Sequence, residues 1–340
     1  MSAVDWPLER DLERSHAAAR AARSRIAPFA RRTPLLEAEP LGRGGSATRL
    51  LKLETAQRTG SFKIRGAAAA ITAPAERPRE IIAASTGNHG LAVAAVARGL
   101  GLPFRIFVPA GAAPAKLARL RRAGVAPIAV AGDPLACELE ARALAARSAG
   151  ALFVSPYNDP EVVLGQATIG LELAEQADRQ PDAVFVAVGG GGLAGGVSLA
   201  LRHRWPDCRI VGCVPAASPA MADAIAAGHV VPSRVLPTLA DATAGNIEPD
   251  SITVPLCTAL LDEIVILEED ELHAAMRIAL RELHFVIEGA AALALAASLR
   301  EPDGGRHVVI LSGAGVGDEV LRSILAATAD EDAANGADVR

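Results

Sequence analysis

Short, uninterrupted apolar runs alternate with Ala-rich segments of helical period along most of the chain. EIIAAS (80–85), FRIFVP (104–109), VAPIAV (125–130), ALFVS (151–155), DAVFVAVGGGG (182–192), CRIVGCV (208–214), EIVIL (263–267) and HVVILSG (307–313) are predicted as strands. Between them, LAVAAVARGL, APAKLARLRRAG, DPLACELEARALAARSAG and segments near 160–178, 193–204, 269–283 and 288–299 have the period of helices. Strands that are apolar throughout, alternating with helices, predict open parallel sheets covered on both faces. No fixed period of solenoid length recurs. The Pro-containing stretch 230–255 has little periodicity and is expected to be an ordered loop beside a site, because long structureless loops are rare in compact domains. The polar tail ADEDAANGADVR is expected to fray.

Composition narrows the classes. With 340 residues, 51% of them hydrophobic and 21% charged, the chain has room for about two domains and is no disordered polyelectrolyte. A net charge of −5 with one Tyr and two Trp excludes a nucleic-acid binder, which needs cations and stacking rings. No apolar run has the length of a membrane span, and the N-terminus lacks a signal-peptide core, so a cytoplasmic place is expected. Cys137, Cys208, Cys213 and Cys257 show neither CxxC nor paired metal spacing, which predicts buried free thiols and no metal centre. Of the 34 cationic residues 31 are Arg, so a site needing a primary amine has only Lys52, Lys63 and Lys116 to draw on.

Four segments carry chemistry. In GSFKIRGAAAA (60–70), Lys63 opens an apolar helical stretch, where lost solvation lowers an amine's pKa and frees it for imine chemistry. Lys52, in the alternating LLKLE, and Lys116, on the outer side of a helix, read as ordinary surface lysines. ASTGNHG (84–90) joins a strand to a helix. Ser85, Thr86, Gly87 and Asn88 there offer small side chains and free N–H groups to an anion, or form a plain helix cap, with His89 either part of that loop or a structural histidine. AVGGGGLAGG (187–196) sets four glycines between strand and helix, more than a tight turn needs, and suggests a backbone nest around a phosphate. No GxGxxG opens the first βαβ unit, which counts against a dinucleotide. In ILSGAGVG (310–317), Ser312 falls at a strand's carboxyl end, where ligands collect in open α/β sheets, although a turn serine would look the same.

In this order, with RRTPLL, GQATIGLEL, ADATAGNIEPDSIT and IEGAAALALA, these segments resemble the fold-type II pyridoxal-5′-phosphate enzymes, in the serine/threonine dehydratase and serine racemase branch. The resemblance runs over residues 10–325 or so. It implies a tryptophan-synthase-β-like α/β architecture of two open parallel-sheet domains with the cofactor between them. Residues 1–50 and 156–325 would form the larger domain, 51–155 the smaller inserted one, and 326–340 a tail. It implies that Lys63 forms the imine with pyridoxal phosphate and that Phe62 lies beside the ring. Asn88 would meet the ring hydroxyl, Gly189, Gly190, Gly191, Gly192 and Leu193 the phosphate, and Ser312 the pyridine nitrogen. Ser85, Thr86, Gly87 and His89 would take the substrate carboxylate. The freed Lys63 amine would remove the α-proton, and the β-hydroxyl would leave with help from the cofactor phosphate. The resulting enamine would give a 2-keto acid and ammonia. A homodimer is expected on the same ground.

This chain departs from the family in places. Where metal-dependent members carry two carboxylates, it reads Val214-Pro215-Ala216-Ala217-Ser218-Pro219-Ala220, so no Mg²⁺ or Ca²⁺ site is expected there. Asp241-Ala242 replaces Asp-Gly, and GQATI replaces GQGTI. Thr86 stands where racemisation needs an acid opposite Lys63, and it has a hydroxyl, but its β-branch restricts χ1, so ammonia-lyase is the first reading, with Thr86 as the catalytic hydroxyl of a racemase side activity. Serine or hydroxyaspartate racemase/ammonia-lyase activity, or dehydration of phenylserine or a hydroxyectoine-derived substrate, are the alternatives on this scaffold. Outside it stand a nucleotide-binding oxidoreductase and an inactive binding protein. Tyr157-Asn158-Asp159 and 241–247 are the expected side-chain pocket. The chain's end leaves no room for a regulatory domain, so feedback by isoleucine is not expected.

Overall fold

A computed structural model describes residues 8–39, 41, 46–301 and 304–326. Its elements run α1 (Leu12–Ile26), β1 (Leu35–Ala38), β2 (Thr48–Leu53), α2 (Lys63–Thr72), β3 (Glu80–Ala84), α3 (Asn88–Gly99), β4 (Phe104–Pro109), α4 (Pro114–Arg122) and β5 (Pro127–Val130). There follow α5 (Pro134–Arg147), β6 (Ala151–Phe153), α6 (Pro160–Gln176), β7 (Ala183–Ala187), α7 (Gly192–Arg204), β8 (Arg209–Pro215), α8 (Ala220–Ala227) and α9 (Thr253–Leu260). β9 (Glu263–Leu267), α10 (Glu269–Arg281), α11 (Gly289–Leu299) and β10 (Arg306–Leu311) complete the order. The tail expected to fray lies outside the described residues.

The strands form two sheets, ordered β1-β2-β10-β7-β8-β9 and β5-β4-β3-β6. All pairings are parallel except β1 with β2, which closes one edge antiparallel. The hydrophobic pattern does not predict β1 and β2. β1 is four residues long and half exposed, and the polar Lys and Arg in TRLLKL hide the buried character of β2. β2 runs to Leu53 inside the larger sheet, so sheet membership changes between β2 and β3. The stretch 230–255 is largely loop as expected, but α9 begins within it.

Lys52 is not a surface lysine. It is fully buried, and its Nζ donates to Glu172 (2.6 Å), Gln176 (2.7 Å) and the Thr33 carbonyl (2.9 Å). The alternation that suggested exposure is broken here because both faces of β2 are covered. Arg65 joins the same cluster, with forks onto Glu54 (2.8 Å) and Glu172 (2.7 Å). Two cations and two carboxylates thus balance within the core, each hydrogen-bonded, as buried charges require. Lys116 is partly exposed as expected, and bridges to Asp241 at 2.8 Å.

α2 and α6 cross at glycines. A Cβ on Gly66 would lie 2.3 Å from the Gln166 amide, and one on Gly165 would lie 2.7 Å from the Arg65 carbonyl oxygen. This close approach brings the start of α2 beside the loop that leads into α6. One apolar core runs through α1, α2, α3 and α6. The loops that follow β3, β6, β7 and β10 all leave strand carboxyl ends, where open α/β sheets bind ligands.

Candidate active site

Lys63 is the first residue of α2, with Phe62 as its N-cap. Two hydrogen bonds tie that start to the end of β10: Phe62 N–H donates to the Ser312 carbonyl (3.0 Å), and Ala314 N–H to the Gly60 carbonyl (2.9 Å). Gly60, at φ +77°, makes the turn between them. Lys63 and Ser312, 249 positions apart in sequence, are thereby fixed side by side. The Lys63 stem is partly exposed but its nitrogen is enclosed, donating to the Pro156 carbonyl at 2.8 Å and lying 5.2 Å from the Phe62 ring centre. Burial pulls its pKa down to about 8, against the charges of Glu138 and Glu288, which pull it up.

The 85–89 loop sits at the carboxyl end of β3. Gly87 N–H donates to Ser85 Oγ (3.1 Å), and α3 begins at Asn88. The Asn88 amide donates to both oxygens of Glu288, at 2.9 and 2.8 Å, which leaves its own Oδ1 buried without a partner among the described residues. Glu288 itself is 4% exposed, also accepts from Gly315 N–H (3.0 Å), and is raised in pKa by burial. His89 Nε2 meets the Val154 carbonyl at 2.9 Å, so Nε2 carries the proton. Burial, then the Lys63 charge, push the His89 pKa down to about 3, so the ring is neutral and that nitrogen serves the fold. Ser85, Thr86 and Gly87 stay half-buried.

The glycine loop has a steric reason as well as a chemical one. A Cβ on Gly190 would fall 2.4 Å from the Tyr157 ring, one on Gly189 2.9 Å from Thr243 Cα, and Gly191 has φ +86°. The number of glycines alone therefore does not require a phosphate, contrary to the expectation from their count. The first-turn N–H groups of α7, from Gly192 and Leu193 on, are what an anion would meet, since no helical carbonyl reaches them. Ser312 is 2% exposed and its Oγ has no partner among the described residues. Orphaned polar atoms at Ser312 and Asn88, a lowered amine at Lys63 and open N–H groups at α7 fit a ligand carrying an aldehyde, a polar ring and an anionic group.

A second polar group adjoins Lys63. The chain continues from Pro156 to Tyr157 and Asn158. The Tyr157 hydroxyl accepts from Glu248 N–H (2.8 Å), and the Asn158 amide donates to Glu248 Oε2 (2.9 Å). Arg142, on α5 above the Phe153 ring, donates to the same oxygen at 2.7 Å. The Glu138 carboxyl is pushed up to about 9, by burial first and then by Glu248. Sequence reasoning reaches Tyr157 and Asn158 but stops at residue 247, one short of Glu248, and misses Glu138, Arg142 and Glu288. Glu288 has a signal, since it directly precedes the GAAALALA run. The isolated acids on α5 and in 230–255 have none. The stretch 214–220 ends β8 and turns into α8, with Ser218 Oγ accepting from Gly245 N–H at 3.1 Å. Among the described residues no cluster of His, Cys, Asp and Glu could hold a metal.

Together these features describe an α/β chain with an enclosed lysine at one helix start and a glycine-rich turn at another. The chain belongs to the family described as "Pyridoxal-phosphate dependent enzyme", which matches residues 26–313. It is 36% identical over 322 residues to a putative threonine dehydratase of Sinorhizobium fredii, covering 91% of this chain and 96% of that one. To the L-threonine ammonia-lyase of Thermotoga maritima it is 36% identical over 279 residues, covering 81% and 69%. The crystal structure of the threonine deaminase of T.th. superposes with a TM-score of 0.80 at 34% identity, covering 88% of this chain and 98% of that one. The fold is therefore that of the fold-type II pyridoxal-phosphate enzymes, and the cofactor is pyridoxal phosphate. This sets aside a nucleotide-binding oxidoreductase.

Proposed function

We propose that this chain dehydrates and deaminates a small β-hydroxy amino acid of the serine–threonine class, giving a 2-keto acid and ammonia. The relatives named for threonine support the substrate class. Lys63 carries the reading: it is an enclosed amine with a pKa near 8, held beside Ser312 at the mouth of two sheets. Pyridoxal phosphate, when bound, supplies an aldehyde for that nitrogen and a conjugated ring that takes up charge from the substrate's α-carbon.

The residues divide the remaining work. Lys63, neutral for much of its population near pH 8, removes the α-proton. The amides at Gly189–Leu193 would hold the anionic group at the α7 start, helped by the helix dipole. Ser312 would offer a neutral hydroxyl to the ring nitrogen, Asn88 Oδ1 would meet a polar ring substituent, and Phe62 would lie beside the ring. Ser85, Thr86 and Gly87 take the substrate carboxylate. His89 supports that loop from behind through Val154. Racemisation is the second reading, because Thr86 places a half-buried hydroxyl on the same loop. The two sheets are the cores of a larger unit and a smaller unit inserted after β2. Homodimeric assembly belongs to this reading and is tested by light scattering. A cytoplasmic place rests on four buried free thiols, and among the described residues no helix is long and apolar enough to cross a membrane.

The test is borohydride trapping of protein supplied with pyridoxal phosphate, followed by peptide mapping and a keto-acid assay on L-threonine, L-serine and both 3-hydroxyaspartates. The reduced adduct is expected on Lys63, with keto acid from the first two substrates. An adduct elsewhere, or none, overturns the proposal.

A further inference from the structure

An anion held by backbone amides is held only as firmly as those amides are aimed. Gly190, Gly191 and Gly192 each carry an N–H with no acceptor among the described residues. The last two share their peptide units with carbonyls that are tied down. The Gly190 carbonyl accepts from Thr253 Oγ1 at 2.6 Å. The Gly191 carbonyl accepts from Gly195 N–H at 2.8 Å and from Cys257 Sγ at 3.7 Å. Thr253 is the first residue of α9 and Cys257 lies one turn further on, so both side-chain bonds come from a single helix. A Cβ on Gly191 would fall 2.9 Å from Thr253 Cβ and 3.0 Å from Cys257 Sγ, so the loop backbone lies directly on α9.

A trans peptide sets its N–H opposite its C=O, and no cis bond occurs among the described residues. Fixing the Gly190 carbonyl on α9 therefore turns the Gly191 N–H away from α9. Ser251 stands behind Thr253, with the two hydroxyl oxygens 2.7 Å apart. A hydroxyl has one hydrogen, and that of Thr253 goes to the Gly190 carbonyl, which cannot donate, so Ser251 is the donor to Thr253. Ser251 Oγ in turn accepts from Thr253 N–H at 3.4 Å. The donors thus point one way, from Ser251 to Thr253 to Gly190. Aligned hydrogen bonds polarise one another, which makes the Gly191 N–H at the end of the row a stronger donor to an anion. Ser251 is 5% and Thr253 0% exposed, so water does not compete for either hydroxyl.

We propose that Thr253, backed by Ser251, is a positioning residue for the cofactor phosphate: its hydroxyl aims the Gly191 amide of the glycine loop. This rests on the reading above that the loop holds the phosphate. Thr253 is fully buried and acts through Gly190, not on the phosphate itself. Lys63, Asn88 and Ser312, which that reading assigns to the aldehyde and the ring, stand on other elements. The effect of Thr253 is therefore confined to the phosphate end of the cofactor.

The experiment titrates cofactor-free wild type and Thr253→Val with pyridoxal phosphate and with pyridoxal, which has the same aldehyde and ring but no phosphate. Valine keeps the branched shape and removes the hydroxyl. The ratio of the two dissociation constants reports the phosphate alone, and a general loss of stability cancels in it. In Thr253→Val, pyridoxal phosphate is expected to bind about tenfold more weakly and pyridoxal to stay within about twofold. Thr253→Ser, which restores the hydroxyl, is expected to return the ratio to within about twofold of wild type. Ser251→Ala is expected to shift the ratio in the same direction by about threefold, and decides the matter if Thr253→Val does not fold. An unchanged ratio in the deciding variant, or equal weakening toward both ligands, overturns the assignment. A failed loop reading shows separately. Wild type that binds pyridoxal as tightly as pyridoxal phosphate overturns the phosphate site itself. So does a Gly190→Ala protein that keeps the wild-type ratio, because its added methyl must push the loop off the Tyr157 ring.

Discussion

Arg65 and Lys63 are two residues apart at the start of α2, yet they enter opposite kinds of polar environment. Arg65 joins Glu54, Glu172 and Lys52 in a cluster where two cations meet two carboxylates and each charge has a partner within 2.9 Å. Lys63 opens the part of the molecule that is left unfinished: Ser312 Oγ, Asn88 Oδ1 and Glu248 Oε1 are buried without partners among the described residues. A buried unsatisfied polar atom costs about 1–3 kcal/mol, so three of them are hard to account for as parts of a stable core. The finished cluster holds α2 in place, and the unfinished one is arranged for a ligand. Perturbing each group tests this division.

The largest effect is expected from Lys63→Ala. Removing the amine should lower keto-acid formation about 10⁴-fold or more and abolish the borohydride adduct, while chemical denaturation shifts little, because Lys63 gives the fold one hydrogen bond to a carbonyl. A variant that unfolds, or retains turnover, would place Lys63 on the structural side of the comparison.

Next comes the finished cluster. Glu172→Gln leaves Lys52 and Arg65 sharing the single carboxylate of Glu54, and breaking a buried pair on one side costs about 3–5 kcal/mol. Urea denaturation should record that loss, whereas the folded fraction should still trap the cofactor on Lys63. Loss of trapping without loss of stability would show that this cluster does more than hold the helix.

The finished cluster is the less legible of the two in sequence. Lys63, Asn88, Ser312 and the glycine loop follow strand ends and carry local signatures, so their chemistry can be read from short motifs. Lys52 sits in an alternating run, and only the pairing of β2 between β1 and β10 shows that both its faces are covered. The Glu138–Glu248 pair joins residues 110 positions apart on a helix and in an aperiodic loop, with no local pattern at either end. Legibility follows locality: strands and helices declare themselves by their periods, and contacts between distant segments do not. The glycine loop shows the limit even of local signals, since Tyr157 and Thr243 account for Gly190 and Gly189 sterically.

A smaller effect concerns pH. Burial first, against the charges of Glu138 and Glu288, sets the Lys63 pKa near 8, well below the roughly 10.4 of an ordinary lysine. Only the neutral amine attacks an aldehyde, so below pH 8 its fraction falls about tenfold per unit. The rate at which cofactor-free protein traps added pyridoxal phosphate should therefore climb from pH 6 to 8 and level off above it. A rate still climbing tenfold between pH 9 and 10 would mean an ordinary, solvated lysine.

The smallest effect has the most diagnostic sign. Ser312 Oγ is buried and unpartnered, so in cofactor-free protein the hydroxyl is a cost, and Ser312→Ala should raise stability by about 1 kcal/mol. With pyridoxal phosphate bound, that hydroxyl has a ring nitrogen to meet, so the gain should vanish or reverse and cofactor affinity should fall severalfold. The two melting curves, with and without cofactor, separate the cases. A serine that served only the turn would shift both curves alike, because Phe62 N–H bonds the Ser312 backbone carbonyl, which alanine retains. An opposite response of the two forms would place Ser312 with Lys63 among the groups whose partner is the ligand.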